Sequence, residues 1–305
     1  ERLVSSMTTN STNGRALGKA PWYLRSWFQA TSALAPRLAE RQAARLFITP
    51  RHRTPVAPTD LHEAPLPERV AERRQGEALP SFPVLSTGRI AAWSWGHGPT
   101  ALLTHGWSGS AGDMAPLAAA LVRAGFRAVL IDMPGHGSSD PATTNLIVYL
   151  QTLAEMSTLV GPLDVAIGHS LGGTATALAL GEGLMTARRA VLLAPGRSPW
   201  EFSRDFARII GLPEARVPGM VRRTEEIVGR KADSLDAATA VAGLTLPALI
   251  AHDPGDADVP YAHGEAIAAA WRGSTLLPRP GLGHRRILKD PDTIAAATAF
   301  VGRTS

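Results

Sequence analysis

From residue 81 onward, short apolar runs alternate with longer stretches of helical periodicity, and this rhythm restricts the fold more than any other feature of the chain. Apolar runs bounded by turn residues read as buried strands, and their alternation with helices marks a mostly parallel sheet covered by helices. Strands are expected at 82–85, 90–95, 101–105, 128–132, 164–169, 190–194, 247–252 and 275–277, with helices at 112–124, 145–160, 171–185, 261–271 and 292–301. Residues 196–245 break the alternation with several charged helical segments between two strands. An insertion at the C-terminal edge of a parallel sheet lies where such sheets bind ligands, so this interval reads as a helical lid or cap.

The first 80 residues follow a different pattern. Between residues 14 and 47, Leu24, Trp27, Phe28 and Leu34 recur at helical spacing while Arg37, Glu40, Arg41 and Arg45 form a polar stripe. One or two amphipathic helices follow from this. Such a stripe is expected to pack on a neighbouring core, with weak membrane-surface contact through residues 22–47 as the alternative. Residues 49–81, rich in Pro, Arg and Glu, read as an extended connector. The expected division is therefore an N-terminal extension and connector over 1–80, a core from 81–195 and 246–305, and a cap over 196–245.

Composition narrows the chemistry. The net charge of +5 arises in the N-terminal part, where residues 1–80 hold 12 Lys and Arg against 7 Asp and Glu; residues 81–305 hold 19 of each. Without a nucleic-acid-binding motif beside it, a basic N-terminus does not indicate nucleic acid. The chain has no cysteine, which excludes disulfides, thiolate metal sites and a cysteine nucleophile. No HExxH, paired-carboxylate or phosphate-loop pattern is present, so no metal or cofactor is expected. The longest uncharged stretch, residues 90–112, contains His97, His105, Pro99 and five glycines and does not read as a membrane span. No secretory signal pattern opens the chain, so a cytoplasmic location is expected, with Met7 as the natural start.

The sharpest motif is Gly168-His169-Ser170-Leu171-Gly172, a GxSxG between an apolar strand and an alanine-rich helix. Glycines on both sides permit a tight strand-to-helix turn that presents the serine hydroxyl at a helix N-terminus, where negative charge is favoured. A serine hydroxyl is a weak nucleophile at neutral pH and needs a base, which in turn needs an orienting group. Of nine histidines, His284 lies in the glycine-rich loop after the last strand and is the expected base. The loop after strand 247–252 offers Asp253, Asp256 and Asp258. Asp256, following a Pro-Gly turn, is preferred as the orienting acid; Asp253 comes next as a turn-stabilising residue, and Asp258 is suited to capping the helix that opens at Pro260.

An acyl-transfer site also needs donors for a developing oxyanion. The backbone N–H groups of Leu171 and of Trp107, in His105-Gly106-Trp107, are the candidates, and His105, Gly106, Trp107 and His169 are expected to line the substrate pocket. Asp132 and His136, in the Asp132-to-Ser139 loop, are expected to form a structural turn.

These motifs, HGW at 105–107, DMPGHGSS at 132–139, GHSLGG at 168–173 and the chain order Ser, Asp, His, resemble the α/β-hydrolase superfamily over about residues 82–302. The resemblance implies a mostly parallel eight-stranded sheet flanked by helices, with a small cap inserted late in it. It implies Ser170 as nucleophile, Asp256 as acid, His284 as base, and Trp107 and Leu171 as donors to the oxyanion. Members with aspartate at the elbow, such as dehalogenases and epoxide hydrolases, are disfavoured by Ser170, and the absence of HGGG disfavours the hormone-sensitive-lipase-like branch. The expected function is a serine carboxylesterase acting on small-molecule esters. Thioesterase, lactonase or carbon–carbon hydrolase activity, or a membrane-surface lipase, are the alternatives.

Overall fold

A computed structural model describes residues 20–50, 68–69, 85–140 and 143–302. Its sheet consists of β1 (Glu68–Arg69), β2 (Ala92–Trp95), β3 (Thr100–Thr104), β4 (Arg127–Ile131), β5 (Leu163–His169), β6 (Ala187–Leu193), β7 (Ala248–His252) and β8 (Ser274–Pro278). They lie in the order β1-β2-β4-β3-β5-β6-β7-β8. β2 runs antiparallel to β1 and β4, and every later pairing is parallel. Seven strands lie where the apolar runs place them. The eighth does not: the strand expected at 82–85 falls largely outside the described residues, and Leu85 makes one bridge to Gly88. The edge position belongs instead to Glu68–Arg69, two residues of the expected connector, which pair with Ser94 and Trp93.

Alternate residues of each central strand enter opposite cores, as the pleat requires. Leu102, Val129, Ala166, Leu192 and Ile250 pack beneath α4 (Leu146–Val160), α5 (Leu171–Gly181), α8 (Ala237–Val241) and α9 (Tyr261–Ala270). Leu103, Leu130, Ile167, Val191 and Leu249 pack against α3 (Ala115–Arg123) and α11 (Pro291–Val301). Helices on both faces make the parallel strands apolar throughout, and this is why they stand out in the sequence.

A third apolar cluster stands apart from the sheet. α1 (Trp22–Leu34) and α2 (Pro36–Phe47) contribute Leu24, Phe28, Ala39, Ala43 and Ala44. From between β6 and β7, α6 (Ser203–Ile210) and α7 (Val217–Val228) add Ala207, Ile210, Val217 and Met220. Phe28 is fully buried there, worth about 2–3 kcal/mol for a side chain of that size. Glu40 lies over Gly219, whose missing side chain makes the room, with Arg216 3.9 Å from its carboxylate. Polar bonds run beside the apolar contact: Gln29 Nε2 donates to the Gly211 carbonyl at 2.7 Å and Arg25 to that of Ile209 at 3.0 Å. The amphipathic stripe of residues 24–47 therefore packs on the inserted helices. Its outer side leaves Trp22 78% and Leu34 87% exposed. Among the described residues, no helix is long and apolar enough to cross a membrane.

Candidate active site

Three chain segments meet at the C-terminal edge of the sheet. The first is the turn from β5 to α5, where Ser170 has φ 52° and ψ −122°. A non-glycine residue in this region carries strain of about 1–3 kcal/mol, so its surroundings must hold it. They do so by close backbone packing. A Cβ on Gly172 would lie 2.6 Å from the Thr104 carbonyl oxygen, one on Gly168 2.6 Å from the Gly173 nitrogen, and one on Gly106 2.8 Å from Ser170 Cβ. The Ser170 N–H donates to the Leu193 carbonyl at 2.9 Å, tying the turn to β6.

The second segment is the loop after β8, where His284 lies on the single turn α10 (Gly283–Arg286). The third is the loop after β7, which carries Asp256. His284 Nδ1 lies 2.8 Å from Asp256 Oδ2, and His284 Nε2 lies 2.9 Å from Ser170 Oγ. The carboxylate can only accept, so Nδ1–H donates to it and Nε2 is left to receive the Ser170 hydroxyl proton. Asp256 Oδ1 is held by the N–H groups of Asp258 at 2.8 Å and Val259 at 3.0 Å. Burial raises the Asp256 carboxyl, yet hydrogen bonds from His252 and His284, the charge of His284 and the Val259 N–H outweigh it and hold the group well below the usual carboxylate range. A permanently charged acceptor thus faces the imidazole at neutral pH, the arrangement in which a histidine can take a serine proton.

Asp253 ties the two loops together. Its carboxylate accepts from the Gly255 N–H at 2.7 Å and the Gly281 N–H at 3.2 Å, and it also accepts from the Gly283 N–H. Burial opposes its charge, but these three donors keep it below the ordinary range. Asp253→Ala is expected to lose about 1–2 kcal/mol of stability at pH 7, because three part-buried backbone N–H groups lose a charged acceptor. The native carboxyl ionises below the unfolded one, so its stabilisation is complete above the ordinary carboxylate range and fades as the pH falls through the native value. Denaturation of both proteins at pH 7 and pH 3 should show the gap narrowing in acid.

The expected pocket residues divide. Trp107 is half-buried, its ring edge-on to His136 at 5.5 Å, in the loop that Gly106 brings against Ser170. His105 lines no pocket: it is fully buried, its Nε2 accepts from the Met133 N–H at 3.0 Å, and Nδ1–H donates to the Gly106 carbonyl at 2.7 Å. Burial lowers its pKa, and it acts as a brace beneath the loop. His169 is likewise buried behind His284, donating from Nε2 to the His284 carbonyl at 2.9 Å. Burial, with the charge of His284, lowers its pKa to about 3, so it adds no charge beside His284 at neutral pH. Asp258 does not cap α9, whose N-cap, Pro260, has no side-chain bond. Asp132 and His136 form the structural turn: Asp132 accepts from Ala111 and Ser138, and His136 Nε2 from Ser108.

The sequence model of the Alpha/beta hydrolase family matches residues 101–297, and the chain belongs to that family. A pimeloyl-(acyl-carrier protein) methyl ester esterase of Xanthomonas campestris pv. campestris is 29% identical over 241 residues, spanning 66% of this chain and 94% of that protein. The fold is also that of an esterase from Exiguobacterium antarcticum, with TM-score 0.56 and 17% identity over 72% of this chain and 98% of that one. A meta-cleavage product hydrolase from Pseudomonas fluorescens shares it with TM-score 0.53 and 17% identity, over 71% and 96% of the two chains.

Proposed function

We propose that the protein is a serine carboxylesterase that cleaves small to medium esters through an acyl-enzyme. The observation that carries this is the bonded series Ser170, His284, Asp256, with contacts of 2.9 and 2.8 Å, on a strained elbow. Ser170 Oγ attacks the acyl carbonyl as its proton passes to His284 Nε2, and Asp256 stabilises the imidazolium that forms. The N–H groups of Leu171, at the free start of α5, and of Trp107 receive the oxyanion; each such donor is worth about 3 kcal/mol. His284 returns the proton to the leaving alcohol, and water then repeats the sequence to release the acid. Of the insertion between β6 and β7, α6 and α7 form the cap together with α1 and α2, whereas α8 covers the sheet as part of the catalytic core.

The relatives named as methyl ester esterases add support for an ester substrate and place methyl esters in the test panel. The test is hydrolysis of methyl esters and of p-nitrophenyl esters from acetate to palmitate, with Ser170→Ala alongside. A chain-length optimum, lost in the variant, is expected. Turnover of thioesters or lactones with none on esters would move the assignment to those substrates and overturn this one.

A second reading, a lipase working at a membrane surface, is favoured by one observation. The outer side of α1 and α2 leaves Trp22, Trp27, Leu34 and Leu38 exposed beside Arg37, Arg41 and Arg45, a pattern suited to an anionic interface. Trp22→Ser with Trp27→Ser is then expected to reduce flotation with anionic liposomes by at least about tenfold. Equal flotation would remove this reading.

A further inference from the structure

Asp256 has a second histidine beside it. His252, the last residue of β7, has a fully buried side chain, and its Nε2 lies 3.5 Å from Asp256 Oδ2, the oxygen that also receives His284. The same Nε2–H donates to the Val259 carbonyl at 3.0 Å, so the ring closes the loop between residues 252 and 259 with Asp256 inside it. The His252 carbonyl takes the Arg279 N–H at 2.8 Å, which fastens this point to the segment leading to His284.

The surroundings hold this ring at a cost. Nδ1 of His252 has no hydrogen-bond partner despite complete burial, a penalty of about 1–3 kcal/mol that an apolar residue would avoid. α9 passes over the ring with Gly264, where a Cβ would lie 2.7 Å from Nδ1. A glycine inside a helix sacrifices about 1 kcal/mol relative to alanine. The Tyr261 ring stands edge-on to the imidazole at 5.6 Å. Neither cost is needed for a stable strand end. Together they keep the Nε2–H on the Val259 carbonyl, with Nε2 3.5 Å from Asp256 Oδ2.

We infer that His252 is a positioning residue for the proposed esterase reaction, holding the Asp256 carboxylate so that Oδ2 faces His284 Nδ1. The inference rests on the esterase reading for its kinetic consequences but on geometry alone for its structural one. Hydrogen bonding from His252 is among the influences that keep the Asp256 carboxyl acidic. Without that donor, Oδ2 carries more negative charge and binds the His284 proton more strongly.

Two polar replacements separate positioning from mere filling of space. In His252→Gln the amide nitrogen reaches about as far as Nε2, whereas in His252→Asn it stops near Nδ1. His252→Asn is expected to lower kcat on p-nitrophenyl butyrate about tenfold with KM changed less than twofold, and to move the acid limb of kcat/KM upward by about half a pH unit. His252→Gln should restore most of both. The groups that face the site and must be held in common are Asp256, His169, Asp258 and Arg285 around His284, and His263 and Tyr261 around His252. The proton NMR resonance of His284 Nδ1–H, followed against pH, gives the same comparison without any substrate. It should shift in His252→Asn and return in His252→Gln. Equal behaviour of the two folded variants, or no change in either, overturns the inference. Failure of the esterase reading would show itself separately, as wild-type turnover no greater than that of Ser170→Ala, with the NMR comparison still deciding the role of His252.

Discussion

Ser170→Ala should abolish ester hydrolysis, with a fall in kcat on the order of 10⁴-fold or more. The variant lacks the atom that forms the acyl bond, and neither neighbour can replace it. Among the described residues, His284 Nε2 bonds to no hydroxyl but that of Ser170, and Asp256 is occupied by His284 and two backbone N–H groups. Stability should barely change. Alanine removes a polar group from a turn whose backbone strain remains, so thermal unfolding should stay within about 1 kcal/mol of wild type. A loss of activity with an unchanged melting curve therefore identifies chemistry as the cause, whereas a residual rate above a hundredth of wild type would point to a different nucleophile.

Asp256→Asn should lower kcat on the order of 10³- to 10⁴-fold with little change in KM. The reason lies in how the side chain is anchored. Oδ1 accepts from the Asp258 and Val259 N–H groups at 2.8 and 3.0 Å, so an asparagine keeps its carbonyl oxygen there and presents its NH₂ where Oδ2 stood. That NH₂ meets the His284 Nδ1–H donor to donor. The imidazole relieves the clash by moving its proton to Nε2, which then donates toward Ser170 and no longer accepts from it. His252 Nε2–H, 3.5 Å from the same position, opposes the amide as well. Measured kcat near that of wild type would mean that the imidazole does not depend on this carboxylate for its tautomer.

How much of this was legible in the sequence depended on distance along the chain. The elbow was readable because every requirement is local: strand, glycines, serine and helix start fall within residues 163–181, and the packing at Gly168 and Gly172 explains why glycine occurs there. The central strands were readable because burial on both faces makes them continuously apolar. The role of Asp253 was only half visible. Its bond to Gly255 is a local turn signal, but those to Gly281 and Gly283 span 28 and 30 residues and leave no periodic trace. The burial of His252 beside Asp256 leaves no trace for the same reason, since a histidine ending a strand looks the same whether it faces solvent or an acid. His105 misled because its neighbours in HGW belong to the site, whereas its ring turns inward to the Met133 N–H. The two-residue edge strand at Glu68–Arg69 is too short to create any pattern. The packing of residues 24–47 was anticipated, but nothing local to that stripe identifies α6 and α7, about 180 residues away, as its partner.

The central claim, a covalent reaction at Ser170 driven by His284 and Asp256, is tested most directly by mass spectrometry of the protein after brief exposure to a fluorophosphonate. One phosphonyl group should appear on the peptide containing Ser170, be absent in Ser170→Ala, and form far more slowly in Asp256→Asn. Label on another residue, or an unlabelled protein that still hydrolyses esters, would contradict it.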